Sequence, residues 1–88
     1  KATKGYPNVP TILKDNSLYV NTAIVNPGGI GRPNQGMIYS MNSEKGDINW
    51  NKETKGMPIE VQLNNKANTL YVGTITKDDD GMMYYFNV

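Results

Sequence analysis

The sequence predicts an all-β chain made of two consecutive copies of one antiparallel unit. Three observations carry this. Three blocks of residues recur in the same order, the segments between turns alternate with a period of two, and no segment sustains a helical period. Asn, Gly and Pro interrupt every stretch before a helix could propagate.

The blocks are visible by eye. Lys1-Ala2-Thr3-Lys4-Gly5-Tyr6-Pro7 matches Lys52-Glu53-Thr54-Lys55-Gly56-Met57-Pro58, an offset of 51 residues. Leu18-Tyr19-Val20 matches Leu70-Tyr71-Val72 at 52, and Gly36-Met37-Ile38-Tyr39 matches Gly81-Met82-Met83-Tyr84 at 45. The first copy therefore carries extra residues between its second and third blocks. Strands are expected at 8–13, 17–22, 36–41 and 47–52, then at 59–63, 69–75 and 81–86. Ile48 and Trp50 stand at period two in the fourth of these.

The turns have their own chemistry. Lys14-Asp15-Asn16 and the run from Asn64 to Asn68 join the first two strands of each copy. Asp80-Gly81 reads as a hairpin turn needing positive φ. Ser43-Glu44-Lys45-Gly46 closes another hairpin, with Gly46 at the left-handed position. Four short antiparallel strands per repeat of this length suggest a blade of a β-propeller. The expected architecture is about two blades, about seven strands in all, of an incomplete ring. Blade one covers about 6–52 with a loop insertion at 21–35. Blade two covers about 57–88 and lacks its fourth strand.

Composition narrows the function classes. Of 88 residues, 38% are hydrophobic and the net charge is +1 with a single Arg, so no basic patch argues for nucleic acid. No apolar run reaches the length of a membrane span. There is no Cys for a disulfide or thiolate and no His, the commonest general base and metal ligand.

The segment from Ser40 to Trp50 resembles the tryptophan-docking motif of pyrroloquinoline-quinone-type (quinoprotein-like) β-propeller repeats. Gly46 and Trp50 match it. Asn42 stands where that family has Asp, Ser40 where it has Ala, and Lys45 where it has Thr. Gly36-Met37-Ile38-Tyr39 and Leu70-Tyr71-Val72-Gly73-Thr74 are similar to its other strands. The resemblance implies that Trp50 docks on the neighbouring blade, that Gly46 and Asn42 shape its turn, and that ligands bind on the face carrying the 21–35 loop. It implies about eight blades per ring. Residues 1–88 are then expected to be a fragment whose partners are neighbouring blades, from the same parent chain or from further copies. The family is mostly extracytoplasmic, whether secreted, periplasmic or on the cell surface.

Candidate ligand contacts lie in that loop: Arg32, Asn26, Asn34 and Gln35. Arg32 could clamp a carboxylate or phosphate with its planar fork, or simply be solvated; in either case its removal should leave stability unchanged. Gly28-Gly29-Ile30-Gly31 lacks the Lys-Ser/Thr and the helix of a phosphate loop. The acidic run 78–80 reads as a solvated hairpin tip, with Asp78 and Asp80 the alternative cation ligands. The matched tyrosines and the methionines read as packing. The expected role is a non-catalytic scaffold that binds protein or ligand without a cofactor. The alternatives are part of a quinoprotein dehydrogenase, whose parent would bring quinone and calcium, and a carbohydrate-binding surface module, with protein or polysaccharide as possible partners.

Overall fold

The computed structural model describes residues 4–7 and 9–88. The chain is all-β, with two antiparallel sheets and one 3₁₀ turn. The first sheet contains β1 (Tyr6–Pro7), β2 (Ile12–Lys14), β3 (Ser17–Ile24), β4 (Gln35–Asn42) and β5 (Ile48–Lys55). β1 and β2 follow one another along one edge of β3, so the order across the sheet is β1/β2, β3, β4, β5. The second sheet contains β6 (Met57–Asn64), β7 (Thr69–Ile75) and β8 (Gly81–Asn87) in chain order. Neither sheet closes on itself.

Several boundaries differ from expectation. The strand expected at 8–13 appears only as β2, displaced to 12–14, and β1 at 6–7 precedes it, giving eight strands among the described residues rather than about seven; Asn8 lies outside the described residues. Pro7 faces Thr22 and Ile12 faces Tyr19, so four residues oppose two and the ladder opens. Pro10 in that gap has no amide hydrogen to donate. β6 carries a smaller mismatch, one extra residue, in a single bulge at Ile59 between the pairs Pro58–Thr74 and Glu60–Gly73. The loop expected at 21–35 is shorter. β3 runs on through Ile24 and β4 starts at Gln35, because Thr22, Ala23 and Ile24 pair with Met37, Gly36 and Gln35. β5 likewise continues to Lys55.

The two turn expectations part company. Gly46 is left-handed at φ 75°. The side chain of Asn42 accepts the amides of Glu44 and Lys45, each at 2.9 Å, which fixes that hairpin. At the 76–80 turn the positive φ belongs to Asp79, at 67°, and Gly81 is the first residue of β8. The turn is instead wound around Thr76, whose hydroxyl accepts the amides of Asp78 and Asp80.

The core lies between the sheets. Tyr19 and Ile38 from the first meet Leu70 and Val72 from the second, with Ile12, Trp50, Val61, Leu63, Tyr84 and Phe86 packed around them. Ile48 and Trp50 are two apart yet point to opposite faces. A bulge at Asn49 pairs Trp50 with Ser40 but Ile48 with Met41. Ile48 joins Met37, Tyr39 and Met41 on the outer face of the first sheet, and Trp50 turns to the inner face. Its indole lies 6.1 Å from the Tyr19 ring and 5.9 Å from Phe86 on the other sheet. No helix among the described residues is long and apolar enough to cross a membrane.

The recurring blocks form the same latch twice. The Thr22 hydroxyl donates to the Lys4 carbonyl at 2.6 Å, and the Lys4 amide donates to the Tyr39 hydroxyl at 2.8 Å. In the second copy Thr74 donates to the Lys55 carbonyl at 2.6 Å, and the Lys55 amide to Tyr84 at 2.8 Å. Each latch precedes a glycine with φ near +90°, Gly5 at 86° and Gly56 at 89°. A Cβ at Gly56 would stand 2.8 Å from the Ile75 carbonyl oxygen, so both the dihedral and the space demand glycine. Gly56 alone separates β5 from β6, and it turns the chain from one sheet into the next.

Two substitutions test this frame by urea denaturation followed by far-ultraviolet circular dichroism. Trp50→Ala should cost about 2–3 kcal/mol, less than a fully buried Trp because this one is only partly buried. Gly56→Ala should cost about 1–3 kcal/mol through strain. A loss under about 0.5 kcal/mol at either position would refute the role given to it.

Candidate functional site

The 25–34 connection emerges where β3 ends and β4 begins, at the same end as the Lys55-Gly56 junction and the 76–80 turn. Pro27–Gly29 forms the 3₁₀ turn, and the Asn26 side-chain amide ties the loop together by donating to the carbonyls of Ile30 (3.2 Å) and Arg32 (2.8 Å). Asn34 anchors the far end. Its side-chain oxygen accepts the Lys77 amide at 2.9 Å, and its carbonyl accepts the Gly56 amide at 2.9 Å.

Two adjoining open clefts flank Asn26 and Asn34. One, of about 510 Å³, is lined by Asn26, Asn34, Gln35, Glu53, Thr54 and Lys55. The other, of about 460 Å³, includes Arg32, Ile30 and Lys77 with the same two asparagines. The four candidate ligand contacts named from sequence are thus brought to one end of the molecule. Glu53, Lys55 and Lys77 were missed. Glu53 and Lys55 belong to the Lys52-to-Gly56 block, which sequence marked as a repeat without marking it as a cleft wall.

Arg32 is not a solvated side chain. Its guanidinium donates to the Thr76 carbonyl at 2.6 Å and forms an ion pair with Asp79. It therefore bridges the loop of the first sheet to the β7–β8 turn of the second. Both bonds are made by the same nitrogen, Nη2.

The cleft walls present amides that donate and accept, one carboxylate and two ammonium groups. This chemistry suits a polar ligand held by hydrogen bonds. The acidic tip contributes through Asp79 rather than through Asp78 or Asp80, whose backbones wrap Thr76. Among the described residues no group of three or more His, Cys, Asp or Glu is placed to hold a metal ion. With no Cys in the chain, a vicinal disulfide for clamping a quinone cannot form here. The residues present therefore do not fit a quinone–calcium centre. Trp50, Gly46 and Asn42 lie away from the clefts, in the β4–β5 hairpin and between the sheets. Comparisons with protein-family models, curated proteins and solved structures gave no match.

The bridge has a measurable consequence. Arg32→Ala should destabilise the chain by about 1–2 kcal/mol, most of it from the half-buried bond to Thr76 rather than the exposed pair with Asp79. Asp79→Asn should cost less than Arg32→Ala. Equal stability of Arg32→Ala and the parent in urea denaturation would show that the bridge carries no energy.

Proposed function

We propose that residues 1–88 are two successive blades of a β-propeller of the quinoprotein-like type, acting as a non-catalytic, extracytoplasmic binding scaffold. The observation that carries this reading is the duplicated unit. The same Lys-Gly junction, Thr–carbonyl bond and Tyr–amide bond occur at the start of each sheet, and the second sheet stacks on the first. A unit that repeats with one glycine between copies and buries one face on its neighbour is the logic of a radial repeat. The β4–β5 hairpin supports the family assignment, since Asn42 supplies the acceptor oxygen that Asp supplies in the motif and Trp50 spans the two sheets.

The ligand surface is the pair of clefts at the loop end, and its partner is a protein or polysaccharide segment rather than a redox cofactor. A carbohydrate reading is favoured over other small ligands by the clustered Asn26, Asn34, Gln35 and Glu53, because hydroxyl groups both donate and accept.

Equilibrium dialysis of the chain against pyrroloquinoline quinone with calcium separates the scaffold from the dehydrogenase reading. No quinone absorbance should be retained; stoichiometric retention would overturn the non-catalytic assignment. A glycan array should give binding that Gln35→Ala weakens, and a blank array would redirect the search to protein partners.

A further inference from the structure

The two clefts at the loop end share Asn26 and Asn34 but differ in charge. The first, of about 510 Å³, holds one acid and one base, Glu53 and Lys55, which offset each other. The second, of about 460 Å³, has Arg32 and Lys77 in its wall and no carboxylate. Both fall in the range of about 300–1,000 Å³ usual for small-molecule sites.

Internal hydrogen bonds decide what the walls still offer. Asn26 spends its side-chain nitrogen on the carbonyls of Ile30 and Arg32, so its contribution to a ligand is the acceptor oxygen. Asn34 does the reverse. Its side-chain oxygen is taken by the Lys77 amide, which leaves the nitrogen to donate. Arg32 reaches Thr76 and Asp79 through Nη2, which leaves Nη1 for a ligand, and its Nε is buried with no partner among the described residues. The Lys77 ammonium forms no ion pair among the described residues. The second cleft therefore presents an ammonium, a guanidinium nitrogen and an amide nitrogen against one amide oxygen. The acids of the neighbouring turn, Asp78, Asp79 and Asp80, do not line it, and Asp79 is already engaged with Arg32.

We infer that the carbohydrate taken by these clefts is an acidic one, a uronate sugar whose hydroxyls meet Gln35, Glu53 and Asn26 in the first cleft and whose carboxylate lies in the second, against Lys77, Arg32 and Asn34. A carboxylate accepts from every donor that the loop's own bonds leave over, and bonds between ionised partners are the stronger kind. The first cleft keeps the mixed donors and acceptors that hydroxyl groups use. Asn26 and Asn34 stand in both walls, so one sugar unit can address both clefts. The three acids of the 76–80 turn oppose an anion nearby and keep the gain modest. The inference rests on the carbohydrate reading of the clefts and adds the class of sugar.

The test presents the 88-residue chain with oligomers of glucuronate, galacturonate and mannuronate, each paired with its methyl ester, which keeps the ring and removes the charge. Titration calorimetry on the best pair should show the acid binding about tenfold more tightly than the ester, the gain of one charge-assisted contact set. Lys77→Gln should bring that ratio close to one, since its backbone bond to Asn34 survives while the ammonium is lost. Lys66→Gln removes the same charge from the exposed β6–β7 turn at the opposite end and should keep the ratio. Equal binding of acid and ester, with Gln35→Ala weakening both, would overturn the inference and leave the carbohydrate reading standing. No binding of any oligomer at about 1 mM, a weak-affinity limit, would overturn both. Loss of the ratio in Lys66→Gln would reduce the preference to overall charge and overturn the inference, as would selective capture of sulfated sugars over uronates.

Discussion

Everything in this molecule depends on one sheet covering the other. Each sheet is open, and a sheet with an apolar face needs something packed on it. Ile38, Leu70 and Val72 are wholly excluded from solvent only because the second sheet lies on the first. Gly56 makes this possible, since a one-residue junction leaves the chain nowhere to go but back across the sheet it has just left. Trp50 then closes the outer end of the gap between Tyr19 and Phe86. The bulge at Asn49 exists in the service of that contact: without it Trp50 would pair in the register of Ile48 and face away from the second sheet.

The repeat was legible because the residues that recur are the ones that hold the unit together. Lys, Gly, Thr and Tyr reappear at offsets of 51, 52 and 45, and these are the participants in the duplicated latch. Sequence pattern alone marked the strands and most of the turns. It missed features in which one residue alters the meaning of its neighbours. Period two at Ile48 and Trp50 promised a shared face, and an inserted residue in the ladder reversed it. The Gly/Pro-rich insertion suggested a longer loop, because nothing in residues 21–24 announces that β3 continues until β4 is there to pair with it.

The candidate site was legible as a location but not as a mechanism. Asn26, Asn34 and Gln35 were found from the composition of their loop. The bond from Arg32 to Thr76 joins residues 44 positions apart, and no local pattern encodes it. Asp79 was likewise hidden inside a run of three identical acids; only the positive φ at the middle one aims it towards the arginine. A basic residue in a polar loop is therefore a poor guide to ligand binding until its intramolecular partners are known.

The two copies are alike in backbone and different in what fills their inner faces. Asn21 is fully buried between the sheets, and among the described residues neither of its side-chain amide atoms has a hydrogen-bond partner. Gly73 stands at the matching position of the second sheet. A buried amide left unpaired costs stability, whereas glycine at that position leaves only a shallow surface beside Met83. Ser40 and Tyr85 differ in the same sense: a small side chain lies under Trp50, and a large exposed ring stands where no second Trp is present. The latch residues are held constant because they set the geometry of the unit. The face residues vary because each must match whatever packs on it, and on the second sheet they leave Met83 and Tyr85 exposed.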